Sequence, residues 1–143
     1  MRRILMITFA FFIILGSFSC NAQNNKKQNT AKAVPSKIEV YYFHFTRRCM
    51  TCNAVESESK KALENLYSEQ VKKGTITFKG INLDDKSSEF AAKKCQASGQ
   101  SLLIMSGKKR VDLTSQGFMY AKSNPDKLKQ EIKKAIDPLL TSK

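Results

Sequence analysis

Ile38-Glu39-Val40-Tyr41-Tyr42-Phe43-His44-Phe45-Thr46-Arg47-Arg48-Cys49-Met50-Thr51-Cys52 is the stretch on which the reading of this 143-residue chain turns. Ile38–Phe45 is rich in β-branched and aromatic residues on both alternating faces, the pattern of a central strand covered on two sides. It runs through Thr46-Arg47-Arg48 directly into a pair of cysteines. From Cys49 onward the period changes from two to about 3.6. Cys52, Val55, Ala62, Leu63, Leu66, Tyr67 and Val71 form one stripe, and Glu56 and Lys60 pair on another side. Lys72-Lys73-Gly74 closes this helix with basic residues in its last turn and a glycine cap.

Thr75–Leu83 reads as a second strand. Its apolar phase reverses after Gly80, which predicts a bulge or kink. Asp84–Ser87 caps a short helix carrying Phe90, Ala91 and Cys95, closed by Ser98-Gly99. Ser101–Met105 is a buried strand, and Ser106-Gly107-Lys108-Lys109 turns it into a partner, Arg110–Thr114. Gly117–Lys122 reads as a loop or short segment. The last helix starts at Asn124 and Pro125, presents Leu128, Ile132, Ala135, Ile136 and Leu139, and meets Pro138 as a kink or stop. The order is β-α-β-α-β-β-α, an α/β fold. Two βαβ crossovers predict parallel strands, and the tight turn predicts an antiparallel pair.

The first 36 residues read as outside this domain. Met1-Arg2-Arg3 and the apolar Ile4–Leu15 have the proportions of a signal peptide over residues 1–19. Two cleavage readings stay open. Either Cys20 is lipidated and anchors the protein to a membrane, or cleavage follows Ala22 and Cys20 is lost. Residues 20–36, rich in Asn, Gln and Lys with Val34 the one bulky apolar side chain, read as a flexible linker. The domain is then 37–143, exported and held in the cell envelope or periplasm. The formal charge of +13 falls to +11 without Arg2 and Arg3. Export removes nucleic acid as a partner, and the scattered basic pairs read as solvated helix faces or as attraction to anionic headgroups.

Setting Cys20 aside leaves Cys49, Cys52 and Cys95, one close pair and a singleton, which points to chemistry rather than scaffolding. Cys49 falls where a helix begins, with free backbone N–H groups and the positive end of the helix dipole. Arg47 and Arg48 add fixed charge beside it, and both effects favour thiolate over thiol. Cys52, one turn later on the buried stripe, is placed to resolve a mixed disulfide. Cys95 reads as a buried core thiol or as a third sulfur near the pair. His44 reads as a partly buried strand residue or as a proton carrier. Four zinc ligands are lacking, and no resident cofactor is expected. A thiophilic ion such as arsenite or copper(I) needs only two or three sulfurs.

A strand delivering Cys-x-x-Cys onto a helix start, in this element order, resembles the thioredoxin superfamily over residues 37–140. More narrowly, Tyr41–Cys52 is similar to small thioredoxin-like proteins of the nitrophenyl compound nitroreductase subunit family, which is associated with arsenic-resistance genes. The resemblance implies a four-stranded mixed sheet with helices on both faces and a redox-active dithiol working on a protein disulfide or dithiol partner. Three features depart from thioredoxin. Met50-Thr51 stands between the cysteines instead of Gly-Pro, Phe43 stands where the family has a buried carboxylate, and Gln100 or Ser101 stands where a cis-proline faces the dithiol. The function these residues imply is an envelope thiol–disulfide oxidoreductase. The alternatives are a metalloid- or soft-metal-binding protein, or an electron-delivering subunit of a larger redox enzyme.

Overall fold

A computed structural model describes residues 37–141. The stretches expected to be a signal peptide and a linker, with Cys20, lie outside the described residues. Four strands form one mixed sheet in the order β2-β1-β3-β4. They are β1 (Ile38–His44), β2 (Ile76–Asn82), β3 (Ser101–Ser106) and β4 (Lys109–Asp112). Four α-helices join them, α1 (Met50–Lys72), α2 (Glu89–Cys95), α3 (Thr114–Tyr120) and α4 (Pro125–Thr141). A 3₁₀ turn, Lys86–Ser88, leads into α2.

β1 is the central strand that its composition predicts. Ile38, Val40 and Tyr42 face one side and pack with Val55, Leu63, Leu128, Ile132 and Ile136 from α1 and α4. Tyr41 and Phe43 face the other side and pack with Cys95, Leu103 and Met105 beneath α2. Fully burying each such side chain contributes roughly 1.5–3 kcal/mol, so the two faces together dominate the stability of the sheet. Tyr67 departs from helical backbone angles near the end of α1. Its hydroxyl donates to Asp137 at 2.6 Å, tying α1 to α4.

Several expectations are corrected. β3 runs antiparallel to β1, pairing Phe43 with Ser101 and Ile38 with Ser106, so only β1 and β2 are parallel. The seven residues of α2 rise only about 10 Å, less than half the roughly 23 Å of a seven-residue strand. β2 ends beside His44 and β3 starts beside Phe43, so the connection through this short helix re-enters the sheet at the end it left. The register of β2 against β1 is unbroken through Gly80, so there is no bulge. Ile76 and Phe78 simply face α1, while Ile81 faces α2. Gly80 lies on the α1 side, where an added Cβ would stand 3.0 Å from Glu56 Oε1. Phe90 is 80% exposed and not part of the apolar face of α2, which Ala91 and Cys95 supply.

The fourth correction is that Thr114–Tyr120 is a helix and not a loop. Gly117 at its middle lets it lie close to the sheet, since a Cβ there would be 3.3 Å from both Leu102 Cδ2 and Val55 Cγ1. At the far end, α4 neither stops nor breaks at Pro138 but runs to Thr141, its last turn held by buried Leu139. Asn124 starts it as predicted, its side-chain oxygen accepting from the Lys127 N–H at 3.1 Å. No helix among the described residues is long and apolar enough to cross a membrane.

Candidate active site at the dithiol

β1 ends at His44, and the five residues after it carry the chain over the edge of the sheet into α1. This turn is fixed from the neighbouring β2 loop. The Thr46 N–H donates to the Asp84 carboxylate at 2.7 Å, and the Asn82 amide donates to Thr46 Oγ1 at 3.0 Å. Cys49 thus becomes the N-cap of α1 in extended conformation. Capping residues accept from an otherwise orphaned N–H, and Cys49 Sγ does this, taking the Cys52 N–H at 3.0 Å. The first turn of α1 contains no acidic residue, so nothing there offsets the positive end of the dipole at the sulfur.

Cys49 and Cys52 form a disulfide with their Cα atoms 5.0 Å apart. The two sulfurs have unlike surroundings. Cys49 is exposed, whereas Cys52 is 4% exposed. Behind Cys52 stands Gln100, whose carboxamide lies 3.8–4.0 Å from Cys52 Sγ. Ser101 starts β3, and its hydroxyl donates to the Gly99 carbonyl at 3.1 Å, so the loop facing the dithiol is folded upon itself. Gln100 and Ser101 also line an open groove of about 460 Å³, shared with Ser98, Arg110 and Thr114.

The two arginines separate. Arg47 is exposed. Arg48 donates to the Glu56 carboxylate and lies over the Tyr42 ring at 5.7 Å. Glu56 also accepts from Lys60 at 2.9 Å. Burial opposes the ionisation of Glu56, but the hydrogen bonds and charges of Lys60 and Arg48 outweigh it and hold the carboxyl below its ordinary value. Burial, aided by the nearby Glu56 charge and opposed by Arg48, pushes the Tyr42 hydroxyl up. Glu56 is the site residue that the sequence reading missed as a partner of Arg48. Arg48 precedes the helix, so the i,i+4 spacing that reveals Glu56–Lys60 gives no hint of it.

Cys95 is not brought to the pair. It is fully buried in the cluster under α2, on the face of the sheet opposite α1, and burial pushes its thiol up. His44 lies near the site without touching sulfur. Its Nδ1 is 3.1 Å from the Phe45 carbonyl oxygen, and its ring is tilted against Tyr42 at 5.8 Å. Among the described residues, no three His, Cys, Asp or Glu side chains gather where they could hold a metal ion.

No family model and no curated relative matches the chain. Among solved structures it is similar to one described as "Structure of a malarial protein", at 18% identity over 60% of this chain and 93% of that chain. The TM-score of 0.39 is too low for that likeness to bear on fold or function.

Proposed function

We propose that the protein is a thioredoxin-like thiol–disulfide oxidoreductase of the cell envelope, with Cys49 as nucleophile and Cys52 as resolving thiol. The observation that carries the reading is the asymmetry of the pair. An exposed sulfur that caps a helix is bonded to a buried sulfur one turn later. The strand order β2-β1-β3-β4, with β3 antiparallel and the dithiol where α1 follows β1, supports the superfamily resemblance.

In the reductive direction, the Cys49 thiolate attacks one sulfur of a partner disulfide. A Cys49–partner bond forms, and the other partner sulfur leaves as thiolate with the bonding electrons. Cys52 then gives its proton to solvent and attacks Cys49 Sγ. The Cys49–Cys52 bond forms, the Cys49–partner bond breaks, and the partner leaves reduced by two electrons. The oxidative direction is the same sequence reversed. The narrower resemblance to nitroreductase subunits belongs to the proposal as a partner class, a larger redox enzyme that receives these electrons.

The test is catalysed reduction of a protein disulfide by the pre-reduced protein with excess dithiol. Acceleration that disappears in Cys49→Ser supports the reading. Absence of turnover, together with tight stoichiometric arsenite binding, would move the protein to the binding class. Membrane attachment through Cys20 is tested separately. Cys20→Ala should release the protein into the soluble envelope fraction, and a mature start at Gln23 without acyl chains would refute lipidation.

A further inference from the structure

We propose that Gln100 is the positioning residue of the resolving thiol, its carboxamide accepting from the Cys52 thiol and donating to the Cys52 thiolate once the disulfide opens. This rests on the oxidoreductase reading above and assigns a role that the reading leaves empty. Cys52 is 4% exposed, so water solvates a thiolate there poorly, and a buried charge without a hydrogen-bond partner is strongly disfavoured. Phe43 occupies the strand position where the resembled family has its acid, and its ring lies in the cluster on the opposite face of the sheet. Glu56, the carboxylate nearest along α1, is held by Arg48 and Lys60.

Gln100 meets the need geometrically. Its Nε2 is 3.8 Å and its Oε1 4.0 Å from Cys52 Sγ. In the disulfide that sulfur has no hydrogen, so only Nε2 can donate to it. After reduction a thiol can donate to Oε1, and a thiolate can accept from Nε2 through a small rotation of the amide. The amide does not titrate, so it serves both forms without taking up the proton itself. Its backbone is fixed by the step into β3, where Ser101 pairs with Phe43 and bonds back to Gly99.

The experiment loads reduced protein at Cys49 with thionitrobenzoate and follows its release by stopped flow across pH. Cys52 attacks Cys49 Sγ, the Cys49–Cys52 bond forms, and the coloured thiolate leaves. Wild type should show release that rises with pH to a plateau. Gln100→Leu should slow release about tenfold near neutrality and move the half-plateau upward by about one pH unit, the loss expected of one hydrogen bond to a charged group. Gln100→Glu, nearly isosteric, should be slow near neutrality, where its carboxylate repels the thiolate. It should converge on wild type in acid, where the carboxyl is protonated. It reads the same interaction if Gln100→Leu does not fold. An unshifted half-plateau, or uniform slowing at every pH, would overturn the proposal. Failure of wild type to turn over protein disulfides would remove the oxidoreductase reading and leave this intramolecular measurement standing, so the two failures are distinguishable.

Discussion

Arg48 pairs its charge with Glu56, eight residues along the chain. The pair is mostly shielded, with 22% and 18% of the two side chains exposed. Removing one partner from such a pair leaves the other insufficiently compensated. Arg48→Ala should therefore cost about 1–3 kcal/mol of stability by denaturant titration. It should change the alkylation rate of reduced Cys49 less than about threefold, because the helix N-terminus supplies the dominant field. A large fall in Cys49 reactivity with unchanged stability would show that the guanidinium swings to the sulfur on reduction.

The unlike surroundings of the two sulfurs predict a trapping asymmetry. Reduced Cys49 should alkylate at least about tenfold faster than Cys52, which has little access to reagent. Cys52→Ser should accumulate a stable mixed disulfide with the partner, whereas Cys49→Ser should accumulate none. Peptide mapping after timed alkylation and non-reducing electrophoresis measure the two effects. Cys52 as the faster thiol would exchange the roles of nucleophile and resolver.

Cys95 sits on the other face of the sheet, among Tyr41, Phe43, Leu103 and Met105. Cys95→Ser places a hydroxyl among these apolar side chains, at a cost of about 1–3 kcal/mol. Arsenite affinity of the reduced protein should stay unchanged, because among the described residues only Cys49 and Cys52 are placed to share an ion. A tenfold loss of affinity in a folded variant would show that a third sulfur reaches the pair.

Much of this architecture was legible because its signals are local. The double-faced apolar run of β1, the period change at Cys49 and the Asn124-Pro125 helix start each depend on residues adjacent in sequence. What escaped the reading depends on partners distant in the chain. The direction of β3 follows from where α2 leaves the chain, not from any pattern in Ser101–Ser106. Gly80 looked like a bulge because the Glu56 carboxylate that fills the space above it comes from another element. α3 was obscured by Gly117, whose helix-weakening effect is overridden by contact with Leu102 and Val55.

That last contact yields a prediction with a definite sign. In an exposed helix, glycine to alanine gains up to about 1 kcal/mol. At Gly117 the new methyl meets Leu102 and Val55 at 3.3 Å, and both are fully buried in the packed core. Neither can move aside cheaply, and overpacking a core costs about 1–3 kcal/mol. Gly117→Ala should therefore destabilise by about 1 kcal/mol net, read from the denaturation midpoint, and Gly117→Val by more. A more stable alanine variant would mean that α3 is free to shift away from β3.

Glu39 makes the clearest prediction for pH. Its carboxylate accepts from Lys94 at 2.6 Å and from Lys79 at 2.9 Å, and both ammonium groups also lie over the Tyr41 ring. The Lys94 hydrogen bond, opposed by burial and aided by Lys79, brings the Glu39 carboxyl down to about 2. The folded value is depressed, so the stabilisation is complete above the unfolded value of about 4.3 and is lost as pH falls from there through about 2. The full shift would correspond to about 3 kcal/mol, but each lysine side chain is 44% exposed, and water screening reduces the expected contribution to about 1–2 kcal/mol. Glu39→Gln should thus be about 1–2 kcal/mol less stable than wild type at pH 7, with the gap closing as the pH approaches about 2. Raised ionic strength should narrow the gap at neutral pH as well. Denaturant titrations of both proteins across this range make the comparison directly. The same gap at pH 7 and pH 2 would assign the contact to packing over Tyr41 and not to the charge of Glu39.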